Sequence, residues 1–244
     1  MKEQNVLKWK RLLVESSAIV ASILMAFAID AWWDNRESQK SLNLELTNVI
    51  SELRENQALV ELEIAVLSRI TVSRRSLLNV MDANKKDAYV SVPGSLAWLA
   101  TAPSPTLDAS FGALDTLVSS GRMARIDDPK LRSSLAGIKS KFEDVLEEQL
   151  EARAVHNAFV LPLLIEKADL RALYQDDIEY SQILYSSSAN AEVSSKRSFE
   201  YPNNMALRNA IAETNSWYES GRAEMHELLI DIEALVARLD SELQ

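Results

Sequence analysis

The chain has no cysteine among its 244 residues. A disulfide framework, a thiolate nucleophile and a thiolate zinc site are thereby excluded. Glycine and proline are scarce, at five and six, too few for the many tight turns of a sheet-rich fold. The glycines stand singly, so the sequence holds neither a glycine-rich phosphate loop nor a Gly-x-Ser-x-Gly elbow. Only two histidines occur, His156 and His226. Neither sits in His-x-x-x-His or Glu-x-x-His, the spacings that bring two metal ligands onto one helical face. Both are expected to be surface histidines.

Positive charge is also in short supply. Lys and Arg total 26 against 36 Asp and Glu, a formal net charge of −10. An acidic chain is repelled by phosphate backbones, so nucleic acid is not expected as a partner. The paired carboxylates Glu147/Glu148/Glu151, Asp127/Asp128 and Asp176/Asp177 are of the residue type used in acid–base catalysis. That chemistry needs two carboxyls held in a cleft whose environments separate their pKa values. On regular bundle helices such residues form a solvated face. No catalytic, cofactor-binding or metal-ligating residue is assigned, and the expected protein is not an enzyme.

What the sequence does contain is helix. Leu, Ala, Glu, Ser, Lys and Arg dominate it, the composition of long helices. Near the start, Leu12–Trp33 forms an apolar run with two acids, Glu15 and Asp30, at its edges. As a helix these residues reach about 33 Å, enough for a hydrocarbon core of about 30 Å. Glu15 lies one turn from Arg11, so an i,i+4 pair can form while both reach the interface. Asp30 adjoins Trp32 and Trp33, which suit the headgroup layer. Charges at the ends of a span cost far less than at its middle. Four basic residues precede the run, whereas Arg36 and Lys40 beyond it are interleaved with Asp34 and Glu37. The positive-inside rule then predicts a cytoplasmic N-terminus and a translocated remainder. Ala26-Phe27-Ala28 is an A-x-A triplet after an apolar run, which leaves signal-peptide cleavage as an alternative. Ala18, Ser22 and Ala26 make a small-x-x-x-small stripe, a candidate surface for close approach of two anchor helices.

Glu15, Asp30, Trp32, Trp33, Asn35 and Arg36, followed by Leu46, Glu52, Leu53 and Asn56, resemble the start of uncharacterised bacterial single-pass inner-membrane protein families. Those proteins begin with an anchor carrying an internal acid, then an acid–Trp–Asn–Arg cluster, then a long helix with a Glu-Leu-x-x-Asn step. The stretch from Leu117 to Arg132, with Ser120-Gly121 before Asp128-Pro129, resembles their central Ser-Gly turn. The resemblance covers about a third of the chain. It implies a location in the bacterial inner membrane and supplies no activity.

Beyond the anchor, the positions from Leu42 to Met81 at alternating spacings of four and three are apolar in nine of twelve cases. The exceptions are Asn56, Glu63 and Arg74. This pattern predicts a long helix over about 37–81 with a coiled-coil-like seam, continuing the anchor helix. Asn56 is read as a solvated residue or as a register-setting one. Pro93-Gly94 and Pro103 to Pro105 bracket a short apolar piece around Trp98 inside a connection spanning 82–105. A helix over about 107–120 should end at Gly121. Asp128 with Pro129 should open another, reaching about Ala158, with Pro162 kinking or restarting it. Residues 175–204 read as a surface loop with strand-like pieces and a concentration of tyrosines. Asn204 should cap a final helix over about 205–243, whose stripe from Leu207 to Leu239 is apolar in eight of ten positions.

The expected fold is therefore all-α: a transmembrane helix running into an elongated antiparallel helical bundle. The divisions are a cytoplasmic N-terminus at 1–11, the transmembrane helix at 12–33 and a periplasmic helical domain at 34–244. The expected function is interaction, scaffolding or sensing at the bacterial inner membrane. Expected partners are the lipid bilayer, a second copy of the chain, and a protein at the membrane-distal loops. Two alternatives stay open: a periplasmic carboxylate- or His-dependent enzyme or metal-binding protein, and an exported soluble binding protein released by signal cleavage.

Overall fold

The computed structural model describes residues 2–185 and 197–243, with residues 2–14 as helix backbone only. Its organising element is α1, Lys2–Ala83, one unbroken helix of 82 residues. At 1.5 Å per residue it extends about 120 Å. The helix thus runs from the apolar segment into the domain without a turn. Its first part stands alone, for the membrane-compatible window within it is 0% buried. From Leu42 onward α1 is packed. All twelve positions of the predicted stripe are buried, including Asn56, Glu63 and Arg74.

The partner of α1 is the last helix, α8, Met205–Glu242, and all ten of its stripe positions from Leu207 to Leu239 are buried. Cross-contacts fix the direction. Arg54 pairs with Asp240, Arg75 with Glu219 and Arg208 with Asp82, so one helix ascends while the other descends. The two are antiparallel. Two matching apolar stripes that exclude water account for the pairing. The seam of α1 is therefore covered within one chain, by α8 and by the helices that follow.

Between these two lie β1 (Tyr89–Pro93), α2 (Gly94–Thr101), α3 (Gly112–Ser119), a 3₁₀ turn (Arg122–Arg125) and α4 (Pro129–Val155). A π-helical turn (His156–Val160) leads to α5 (Leu161–Lys167), α6 (Leu170–Leu173), α7 (Asp177–Leu184) and β2 (Ser198–Pro202). α4 joins α1 and α8 as the third long member, burying Leu131, Leu135, Ile138, Phe142 and Val145. Local signals explain its boundaries. Gly121 adopts φ 72°, a left-handed conformation that glycine alone takes without penalty. The Asp128 carboxylate accepts from the Lys130 N–H at 2.8 Å, with Pro129 at the first helical position. Asn204 caps α8 through the Leu207 N–H at 2.9 Å.

Several boundaries differ from the sequence-based expectation. The helix expected over 107–120 begins only at Gly112, because 102–111 runs without regular structure across the bundle. The helix expected to reach Ala158 changes to π-helical geometry at His156. Pro162 has no N–H and crowds the carbonyl four residues back, so the extra residue of a π turn relieves the conflict. The 175–204 region is not one loop. It holds α7 and a strand that pairs antiparallel with β1, Val90 opposite Tyr201 and Val92 opposite Phe199. Of its tyrosines, Tyr180 and Tyr201 belong to the core, which removes them from any recognition surface. Ser186-Ser187-Ser188 lies outside the described residues. The strand pair sits at the C-terminal end of α1, where the Asn203 amide donates to the Met81 and Asn84 carbonyls at 3.1 and 2.8 Å.

Candidate functional sites: the apolar anchor and the buried arginine

The residues singled out by the sequence pattern gather in one place. Glu15, Ala18, Ser22, Ala26, Asp30, Trp32 and Trp33 lie on the isolated part of α1 and are all exposed. Ile19, Val20, Ile23, Leu24, Met25, Phe27 and Ile29 share that exposure, so apolar side chains project on every side of the helix. A core helix of a soluble domain would be covered on at least one face. The helix is long and apolar enough to cross a membrane. The stripe residues Ala18 and Ser22 are one turn apart, and the Ser22 hydroxyl is satisfied by donating to the Ala18 carbonyl at 2.8 Å. Trp32 and Trp33 lie 6.3 Å apart between ring centres, and the Arg36 guanidinium lies 5.4 Å from the Trp32 ring centre. The Arg11 side chain lies outside the described residues.

A second place carries no signature in the sequence. Arg74 on α1 is 0% exposed. Its Nε donates to the Ala100 carbonyl and its Nη2 to the Ala102 carbonyl, both at 3.0 Å. The guanidinium carbon lies 4.0 Å from the centre of the Tyr218 ring on α8, a cation–π distance. Nη2 also approaches Nδ1 of His156 at 3.3 Å. Arginine can only donate, so Nδ1 is the acceptor and the imidazole is the neutral tautomer protonated on Nε2. Burial first, and the Arg74 charge second, depress the His156 pKa to about 4. The expectation of a surface histidine is wrong here, since His156 is 3% exposed. It falls at the first residue of the π turn, which the one-dimensional pattern does not mark. His226 is exposed, as expected.

Arg74 belongs to a larger set of side chains serving the irregular segment 102–111. Pro103 and Pro105 remove two N–H groups from it, which lowers the number of donors needing partners. Arg153 on α4 donates to the Ser104 carbonyl through Nε and Nη2, at 3.0 and 2.6 Å. Gln149 accepts from the Leu107 N–H at 2.7 Å. Asn56 donates to the Ser110 carbonyl and accepts from the Ser110 N–H. The Glu52 carboxylate then receives the Ala113 and Leu114 N–H groups at 2.9 and 3.0 Å, an anion at the N-terminus of α3. Where this segment is buried, as at Ser104 and Leu107, it is tolerable only because its backbone groups find such partners. Asn56, 1% exposed, is therefore no solvated residue. It is a buried clamp.

Glu63, the second polar member of the α1 stripe, is 9% exposed. Burial and the nearby Asp108 charge raise its pKa to about 7, against a lowering influence from Arg153. The carboxylates Asp144, Glu147, Glu148, Glu224 and Glu227 line an open groove between α4 and α8. Burial, then Glu148, Glu227 and Asp144, raise the Glu224 pKa. Glu148 precedes His156 by about 12 Å of helix rise, so this groove and the buried imidazole are separate features. Among the described residues no group of three or more His, Asp or Glu is arranged to hold a metal ion.

No protein-family model matches the chain, and no curated protein matches it.

Proposed function

We propose that the chain is a bitopic protein of the bacterial inner membrane whose helical domain serves in interaction, scaffolding or sensing. The observation that carries this reading is the all-round apolar exposure of residues 19–29 on a helix that enters the domain unbroken. Such a surface in water is costly, by about 25 cal/mol per Å² of apolar area. Lipid is the environment that removes the cost. The four basic residues before the span support a cytoplasmic N-terminus and a periplasmic domain. The resemblance of the Asp30–Arg36 cluster and the Ser120-Gly121 turn to uncharacterised inner-membrane families supports the same location.

With α1 rising from the membrane, the β1–β2 pair and the connections at 82–105 and 175–204 lie at the far end. That end is the proposed contact point for a protein partner. The small-residue stripe Ala18–Ser22–Ala26 is the proposed contact for a second copy. The seam from Leu42 to Leu53 does not extend this contact, because the chain's own bundle buries it.

Topology is tested with single cysteines, since the natural chain has none to remove. In spheroplasts, Lys86→Cys should react with a membrane-impermeant maleimide without lysis, whereas Lys8→Cys should require lysis. The reverse pattern, or reaction of both before lysis, would contradict the reading.

A further inference from the structure

Where the apolar part of α1 ends, its charges sort by face. At about 100° per residue, Arg36 and Lys40 lie within about 80° of Trp32 around the helix, whereas Asp30, Asp34 and Glu37 lie about 140–160° from it. A surface groove follows the same division. It is lined by Trp32, Asn35, Arg36, Gln39, Lys40 and Asn43, with no acid among them. Gln39 donates to the Asn43 side-chain oxygen at 3.1 Å, so these two amides satisfy each other along the groove. Helical side chains lean toward the N-terminus, here toward the apolar segment. The Arg36 guanidinium accordingly reaches back one turn, to 5.4 Å from the Trp32 ring centre. Arg36 and Lys40 are both exposed, and among the described residues neither forms a salt bridge. Farther along the same helix, Arg54 and Arg75 are paired with Asp240 and Glu219.

We propose that the Trp32–Arg36–Lys40 face of α1 binds the headgroup phosphate of an anionic phospholipid. The inference rests on the anchor reading above, which puts Trp32 in the headgroup layer. The Arg36 guanidinium lies against that ring, so it shares the ring's height in the bilayer. Its planar fork pairs with phosphate oxygens. Lys40 stands one turn farther from the lipid and leans back toward the same point, adding a second positive charge. The indole of Trp32 packs beside the glycerol end of the lipid, where one side of the ring is apolar and the other is wet. Three acids outnumber the two bases over this stretch. Attraction of an anion therefore depends on their separation onto opposite faces and not on net charge.

The test reconstitutes the full chain in phosphatidylcholine bilayers containing a trace of spin-labelled phosphatidylglycerol or phosphatidylcholine. Electron paramagnetic resonance reads the fraction of each lipid that the protein immobilises. The parent is expected to favour phosphatidylglycerol by at least about twofold. Arg36→Gln with Lys40→Gln should lower that preference. Adding Asp34→Asn and Glu37→Gln to this pair restores the parent's net charge, and the preference should stay low. An unchanged preference in the double variant, or its recovery in the charge-balanced one, would overturn the lipid site while leaving the anchor intact. Loss of the parent's preference on adding inorganic phosphate at constant ionic strength would assign the face to soluble anions and overturn the lipid site. Absence of any immobilised lipid around the parent would overturn the anchor reading and the site together.

Discussion

Asn56 and Ser110 hold each other by two hydrogen bonds, side-chain amide against backbone. Nδ2 of Asn56 donates to the Ser110 carbonyl at 2.7 Å, and the Ser110 N–H donates to Oδ1 at 3.0 Å. Removing the amide leaves the part-buried Ser110 peptide group without its protein partners. Asn56→Ala should destabilise the domain by about 1–3 kcal/mol. Asn56→Asp should not rescue it, because a carboxylate cannot donate to the carbonyl. Urea unfolding of the detergent-solubilised chain, followed by circular dichroism, measures both. The exposed neighbour Glu55 serves as control: Glu55→Ala should fall within about 0.5 kcal/mol of the parent.

Arg74 anchors the other end of the same segment. Arg74→Leu abandons the carbonyls of Ala100 and Ala102 and the face of Tyr218, and should cost about 2–5 kcal/mol. Arg74→Lys keeps the charge but lacks the fork that reaches two carbonyls at once, so most of the loss should remain. Equal stability of the lysine variant and the parent would contradict this geometry. The readout is the same unfolding curve.

The two perturbed groups give opposing pH dependences. His156 titrates near 4 when folded, below its ordinary value of 6.5. Its neutral form is the one the fold accommodates. Its contribution is present above pH 6.5 and is lost as pH falls toward 4. Glu63 titrates near 7 when folded, above its ordinary value of 4.5. Its contribution is present below pH 4.5 and is lost as pH rises through 7. Between 4.5 and 6.5 the slopes oppose each other. Glu63→Gln should therefore make stability rise with pH across that window, and His156→Gln should make it fall, while the parent changes least. Unfolding midpoints at several pH values check the three slopes.

Gly121 holds φ at 72°, and a Cβ there would meet nothing within 4 Å. The cost of Gly121→Ala is thus backbone strain alone, about 1–2 kcal/mol. Gly137 lies in α4, with open space where a methyl group would stand. Gly137→Ala should stabilise the helix by up to about 1 kcal/mol. Opposite signs for the two glycines in thermal unfolding are the expected outcome.

The spacing of apolar residues makes the long helices legible, down to which face of α1 and α8 is buried. It places Asn56, Glu63 and Arg74 on the buried stripe while marking them as departures from it. The departures are the informative positions. Their partners are Ser110 for Asn56, and Ala100, Ala102 and His156 for Arg74, and no periodicity links such distant residues. The pairing of β1 with β2 is hidden for the same reason. Each strand has only five residues, and each finds its partner across most of the domain. His156 reads as a surface residue because its burial depends on the π turn. That turn arises from the conflict between Pro162 and the preceding helix.

The retained apolar helix is the claim on which the proposed location and topology depend. Its most direct measurement is the intact mass of the chain recovered from alkaline-washed membranes. The predicted result is a membrane-pelleted product that still contains Ala26-Phe27-Ala28. A product beginning after Ala28 and released into the wash would contradict it.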